Sequence, residues 1–299
     1  MRLHVAIGVF DGVHAGHRAV LASAVAAANQ DDGKVIALTF EPHPSRIIRP
    51  QNPVLLILNR KQKDARLLEA GADEIVHQAF DAEHRAITAE AYIPWLKERF
   101  PKLASLHVGD NFCYGQGRKG DAAKLATDSH SQNLSAKIIP PVKTCGEITS
   151  SSRIREALVA GELELANSML VRPYEAEGVI ENGRKVGRSI GFPTLNLPWK
   201  PELVPCYGVY AGEVVTPEGI AEPSVLNWGV RPTVEANASE PLLEAHVLRS
   251  SGMLPAPGSN IRVRWLKRIR SEQRFENLDK LRQQIEVDCL TARKFLGLA

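Results

Sequence analysis

Gly8-Val9-Phe10-Asp11-Gly12-Val13-His14-Ala15-Gly16-His17 is the stretch on which the N-terminal half turns. Leu3, Val5, Ile7 and Val9 alternate into it as a strand does, and the Ala-rich run from His17 to Asn29 has the composition of a helix. The stretch is therefore a strand-to-helix turn, where backbone N–H groups and the positive end of the helix dipole converge on an anion. His14 and His17 bracket that point and can both donate to phosphate oxygens, while Gly16 lets a phosphate chain approach the backbone. Taken alone, the motif is also compatible with a capped turn carrying two surface histidines. Zinc is disfavoured, because tetrahedral sites need three or four ligands and no third is evident nearby.

Downstream the alternation of strand and helix continues. Val35 to Phe40 ends at Glu41-Pro42-His43-Pro44, a charged helix spans Lys61 to Ala70, and strand-like Glu74 to His77 follows Gly71. A helix over Thr88 to Arg99 is expected to kink or restart at Pro94. Strands at Ser105 to Val108 and Ala136 to Ile139 flank a polar loop and a short helix. This order predicts a Rossmann-like α/β domain with a parallel, doubly wound sheet whose ligands gather at the strand C-terminal ends. Two further segments belong at that edge. His107 to Asp121 is a Gly-rich, basic loop after a strand, and Thr149-Ser150-Ser151-Ser152-Arg153-Ile154-Arg155 opens a helix with capping hydroxyls and arginines suited to pyrophosphate.

After helices at Ser151 to Ala160 and Glu162 to Leu170 the pattern changes near Arg172-Pro173, so the expected domains are 1–171 and 172–299. Strands at Glu177 to Ile180, Gly208 to Val215, Pro223 to Asn227, Leu242 to Leu248 and Ile261 to Leu266 read as a small β-barrel, closed by a helix from Leu278 to Leu298. Gly183 to Gly191 is rich in glycine and basic residues that can wrap phosphates through main-chain amides. Glu244 stands in an otherwise apolar strand, with His246 on its face.

The formal charge of +3 over 299 residues is too mild to require a polyanionic partner. Cys113, Cys145, Cys206 and Cys289 form no CxxC pair, which fits reduced thiols in the cytoplasm better than a zinc ribbon or disulfide framework. No apolar run approaches the ~18 residues of a membrane span. Neither a membrane nor a nucleic acid is expected as a partner. Oligomeric state is not legible. Arg262, Arg264, Lys267, Arg268 and Arg270 alternate with Ile261, Val263 and Trp265, which favours a solvated strand face over nucleic-acid contact.

The three N-terminal motifs, in this order and with Thr39-Phe40-Glu41-Pro42-His43-Pro44 between the first two, resemble the adenylyltransferase half of the prokaryotic bifunctional riboflavin kinase/FMN adenylyltransferase family, the FAD synthetases. The resemblance covers nearly the whole chain. It implies that Gly8, Phe10, Asp11, Gly16, Asn111, Ser151, Ser152 and Arg155 join His14 and His17 around ATP and flavin. Arg188-Ser189-Ile190-Gly191-Phe192-Pro193-Thr194-Leu195-Asn196 is similar to the riboflavin kinase module. The same likeness places Thr194 and Asn196 on Mg²⁺, Glu244 as catalytic base, and Gly187, Arg188, Gly191, Phe192 and Arg270 at the kinase ligands. Riboflavin, FMN, FAD and ATP are then the substrates and products.

Against the family pattern, Val9 replaces Asn, Asn182 replaces His, and Trp228 replaces a small aliphatic residue. Ser250 to Asn260 also lacks the customary Asp-Leu-Tyr-Gly. Two other functions stay open at this point: an adenylyltransferase with an inactive, flavin-binding barrel, and a non-enzymatic flavin sensor or nucleic-acid binder.

Overall fold

The structure, a computed structural model, describes residues 1–183, 187, 190–230, 241–249 and 252–298. Contacts divide the chain into two compact units, Met1–Ser151 and Ser152–Ala299.

In the first unit β1 (Leu3–Ile7) leads to α1 (Ala15–Asp31), β2 (Lys34–Glu41), α2 (Pro44–Ile48) and α3 (Arg60–Glu69). Next come β3 (Glu74–Ala79), α4 (Ala82–Ala86), α5 (Ala89–Arg99) and β4 (Leu103–Gly109). A small hairpin, β5 (Cys113–Tyr114) and β6 (Gly120–Asp121), precedes α6 (Ala122–Ser131) and β7 (Ser135–Ile139). A second hairpin, β8 (Lys143–Thr144) and β9 (Glu147–Ile148), ends the unit. The expected parallel sheet forms in the order β3-β2-β1-β4-β7. In register, Val5 lies opposite Ile36 and Leu106.

One face of this sheet is an apolar core in which Val5, Ile36, Leu38, Leu106 and Val108 pack against Tyr92, Ile93, Leu96 and Leu125. The other face carries a buried polar chain that ties β1, β4 and α1 together. Asp31 meets His4 Nε2 at 2.9 Å, His4 Nδ1 meets Ser105 Oγ at 2.7 Å, Ser105 Oγ meets His107 Nε2 at 2.7 Å, and His107 Nδ1 meets Ser23 Oγ at 2.9 Å. Burial, with smaller contributions from His4 and Lys137, depresses the pKa of His107 to about 4. Its ring is thus neutral at pH 7, accepting on one nitrogen while donating from the other.

Helix α7 (Ser151–Ala160), whose first residue still belongs to the first unit, and α8 (Leu163–Leu170) lead the second. Its strands are β10 (Tyr174–Val179), β11 (Leu195–Pro198), β12 (Gly208–Val215), β13 (Ala221–Val230), β14 (Pro241–Val247) and β15 (Asn260–Arg270). They form one antiparallel sheet in the order β10-β15-β12-β13-β14-β11. A bond from Glu181 N to Asn196 O at 2.9 Å brings the two edges together, so the sheet is a near-closed barrel. Aromatic rings fill its interior: Trp228 lies 5.1 Å from Trp199 and 6.2 Å from Trp265, and Tyr210 lies 4.7 Å from Trp265. The final helix α9 (Leu278–Phe295) packs Cys289 and Ala292 against Val209, Ala211 and Val225 on the outside.

Several local expectations change. The helix does not restart at Pro94: α5 runs on to Arg99. The proline removes one backbone donor, that to Glu90, from a helix anchored by buried Tyr92, Ile93 and Leu96. Helix α1 begins at Ala15, two residues before the Ala-rich run, because His14 caps it. Strand β11 carries no alternating signal strong enough to read in sequence, and β15 continues to Arg270 because pairing with β12 outweighs its basic composition.

Candidate functional site

At the turn after β1, Phe10 and Val13 are buried with φ of +55° and +40°, an unusual backbone held by the surrounding core. The carboxylate of Asp11 accepts from Ile57 N at 3.0 Å and Leu58 N at 3.3 Å, tying the turn to the segment before α3. His14 Nδ1 accepts from Gly16 N at 3.2 Å and His17 N at 3.4 Å, and the two imidazoles stack at 3.7 Å. His17 also stands edge-on to Phe10 at 5.3 Å. A Cβ on Gly16 would sit 3.2 Å from the His14 ring, so a larger residue there must displace the imidazole. Gly8 is similarly constrained, its missing Cβ facing the Phe10 ring at 3.0 Å.

The structure brings Ser151 to this turn, since its hydroxyl donates to Asp11 O at 2.8 Å. Ser152 follows as an exposed residue of α7 and Arg155 as a half-buried one. Asn111 is exposed just beyond the C-terminal end of β4, at the same edge of the sheet as the turn. The sequence reading overlooked an aromatic group at this edge. Phe80, following β3, lies 5.9 Å from Phe40, and His84 is 5.1 Å from Trp95; Phe112 and Tyr92 both stand against Tyr114, at 5.7 and 4.7 Å. Helix-period apolar positions in α5 were the only signal for it.

In the barrel, Asn196 of β11 and Asn227 of β13 are both directly opposite Glu244 of β14. Directly opposed residues share a face, so the three polar side chains form a row across three strands. The adjoining Leu243 and Ala245 are buried inside the barrel, which puts Glu244 and His246 on its outer face. The loop before β11 is fixed there by Phe192 N to Gly187 O at 2.7 Å, and His246 Nδ1 lies 2.8 Å from Pro193 O. Phe192 joins the apolar cluster beneath α9. A Cβ at Gly183 would strike the Asn196 side chain, and one at Gly187 would strike Phe192 O and come within 3.6 Å of Thr194 Oγ1. Gly191 has φ +91° and open space around it. Arg188 lies outside the described residues.

Arg270 is engaged with the final helix. Its guanidinium makes a bidentate pair with Asp288 of α9, at 2.9 and 2.7 Å, and lies over the Phe275 ring at 5.8 Å. The Asp288 side chain is only 3% exposed. Arg270→Met is therefore expected to destabilise the chain by ~3 kcal/mol or more, because it leaves a buried carboxylate unpaired. Urea unfolding checks this, and a change under 1 kcal/mol would show that Asp288 finds other compensation. Of the remaining basic strand, Arg264 pairs with Glu175 at 3.1 Å and Glu213 at 3.4 Å, and Lys267 lies 3.9 Å from Glu164.

A glycine-rich strand-to-helix turn with two stacked histidines on a parallel sheet, followed by a barrel with a carboxylate between two amides, has the make-up of a two-domain nucleotide-dependent transferase. The model of the FAD synthetase family matches residues 1–153, and that of riboflavin kinase matches residues 170–296. The bifunctional riboflavin kinase/FMN adenylyltransferase of Escherichia coli (strain K12) is 36% identical, over 98% of this chain and 92% of its own length. Those of Pseudomonas fluorescens and Bacillus subtilis (strain 168) are 34% and 32% identical, over 96% and 98% of this chain and 91% and 92% of theirs. A crystal structure described as a macrolide-efflux protein from Streptococcus pneumoniae superposes with a TM-score of 0.87 at 26% identity, covering 98% of this chain and 94% of that one. That likeness supports the fold. Among the described residues no helix is long and apolar enough to cross a membrane. The chain belongs to the bifunctional riboflavin kinase/FMN adenylyltransferase family.

Proposed function

We propose that the chain makes FMN from riboflavin and ATP on the barrel, then FAD from FMN and a second ATP at the His14/His17 turn, releasing pyrophosphate. The observation that carries this reading is the division of the chain into two compact units, one with the His14/His17 turn and the other with the Asn196-Glu244-Asn227 row. The two reactions differ in what they require. Riboflavin offers a neutral alcohol whose proton must leave as the new P–O bond forms, so a base is needed. FMN offers a phosphate with a second pKa of about 6, already largely dianionic at neutral pH, so no base is needed.

On the barrel, Glu244 takes the hydroxyl proton of riboflavin, while Gly191, with open space around it, leaves room for the ATP phosphates near the backbone and Gly187 lets the loop fold closely on Phe192. Thr194 and Asn196 offer a hydroxyl and an amide oxygen beside the carboxylate row, a donor set that suits Mg²⁺. The crowding of Gly183 and Gly187 around these two side chains supports a shaped cradle. Bound Mg²⁺ would neutralise phosphate charge during transfer. Arg270 serves this site by fixing α9 through Asp288. Thr194→Val is expected to raise the Mg²⁺ concentration needed for half-maximal FMN formation by about tenfold, the scale of one lost ligand interaction. An unchanged Mg²⁺ titration would remove Thr194 from the metal.

At the turn, the N-terminus of α1 and the imidazoles of His14 and His17 hold the ATP phosphates. Ser151, Ser152 and Arg155 take the leaving pyrophosphate. These three belong functionally with residues 1–171, although contacts group the chain after Ser151 with the second unit. Asn111 and the partly buried Phe80 and Phe112 serve the flavin, whose ring system stacks on such side chains, with the buried Phe40, Tyr92 and Tyr114 behind them. The four free cysteines and the flavin substrates fit the cytoplasm.

A further inference from the structure

Lys63 of α3 is only 7% exposed, and lysines are rarely buried to this extent without a reason. Its ammonium donates to Thr39 Oγ1 at 3.3 Å, and the Thr39 hydroxyl in turn donates to Val9 O at 3.0 Å, in the phosphate turn itself. One acceptor at that distance leaves two of the three ammonium donors for something else. Beside them is a small cleft lined by Val9, Asp11, Glu41, His43, Arg60 and Lys63. It opens at the C-terminal ends of β1 and β2, the edge where α1 begins.

Three of the other polar groups of this cleft have local duties, Arg60 lying 3.9 Å from Asp64, while the Glu41 carboxylate also lines it beside Lys63. The Asp11 carboxylate is engaged by the backbone of Ile57 and Leu58, and His43 Nδ1 accepts from Ser45 N at 3.1 Å. The capping box of Asn59 and Gln62 fixes the start of α3, so Lys63 is carried on a rigid element. Burial lowers the pKa of Lys63, opposed by Glu41, Asp64 and Asp11 and reinforced by Arg60. A buried cation with unused donors is thus kept beside the turn at a cost in solvation that a bound anion would relieve.

We propose that Lys63 is the residue that binds the 5′-phosphate of the acceptor flavin, in the cleft beside Val9. This rests on the reading of the turn as the adenylylation site. In the step, an oxygen of the FMN phosphate forms a bond to the α-phosphorus of ATP as the bond to pyrophosphate breaks. No proton moves through Lys63, which stays an ammonium and offsets the repulsion between the incoming dianion and the triphosphate.

The test is steady-state FAD formation by the full chain with FMN, ATP and Mg²⁺. For Lys63→Met, the KM for FMN should rise by roughly 10- to 100-fold, the scale of one charge-assisted hydrogen bond. The KM for ATP should stay within about twofold and riboflavin phosphorylation should be unaffected. An unchanged KM for FMN, or a loss expressed in the KM for ATP, overturns the proposal. Thr39→Val removes the anchoring hydroxyl but keeps the cation, and its KM for FMN should rise far less. If it reproduces the Lys63→Met loss, the lysine acts only by holding Val9 and the proposal falls. Should Lys63→Met fail to fold, Lys63→Arg decides: the wild-type KM for FMN should climb as pH rises through the lowered lysine pKa, while the arginine variant stays flat. Identical pH profiles overturn the assignment. A wild-type chain that makes no FAD from FMN refutes the underlying reading as well, whereas active wild type with unaltered Lys63→Met refutes the lysine alone.

Discussion

Glu244→Gln is expected to slow riboflavin phosphorylation by roughly 10²- to 10⁴-fold, the contribution of a positioned general base, and to leave FMN adenylylation at the parent rate. The substitution keeps size and hydrogen-bonding capacity but removes the group that accepts the proton. It should cost little stability, because Glu244 is half-buried on the outer face of the barrel while Leu243 and Ala245 carry the packing. Its place between Asn196 and Asn227 sharpens the expectation, since both neighbours are neutral amides that cannot replace the carboxylate as a base. Equal loss of both activities in a folded variant would mean that the two reactions are not divided between the two units.

The opposite pattern is expected of His17→Ala. FAD formation should fall by about 10²- to 10³-fold, the usual cost of removing one preorganised donor to developing charge, with riboflavin phosphorylation intact. The effect should appear mainly in kcat if His17 meets the phosphates most strongly as pyrophosphate leaves. His17 stacks on His14 and touches Phe10, so some repositioning of His14 accompanies its loss. Thermal unfolding separates that from collapse of the turn. FAD formation at the parent rate would strip His17 of its role.

Much of this architecture was legible because local and global signals agree. The alternation ending at Gly8 and the glycines of the first turn specify a strand-to-helix connection whatever the tertiary context. The bond from Ser151 to Asp11 O could not be read, because it joins residues 140 positions apart. Nor could the match of Glu244 with Asn196 and Asn227, which depends on barrel register rather than on any spacing along the chain. Arg270 illustrates the same limit from the other side. Family likeness puts it near the kinase ligands, but its partner Asp288 belongs to a helix whose packing decides where the guanidinium goes. Lys63 read only as part of a charged helix, and its burial depends on tertiary packing that no spacing along the chain encodes.

Val9 and Trp228, two of the departures from the family pattern, also acquire a physical setting. Val9 contributes its carbonyl to Thr39, lines the cleft beside Lys63 and packs against the core of the sheet, an apolar setting that suits valine. Trp228 is fully buried within the barrel and donates its indole N–H to Pro205 O at 3.2 Å, where added volume is matched by the rings of Trp199 and Trp265. It enlarges the barrel core without reaching the outer row that holds Glu244.

The most direct test is chromatography of the products formed by purified chain from riboflavin, ATP and Mg²⁺. FMN should appear first and FAD should follow at its expense, with one ADP and one pyrophosphate released for each FAD made. Riboflavin left unchanged, or FMN that accumulates without conversion to FAD in excess ATP, would contradict the account.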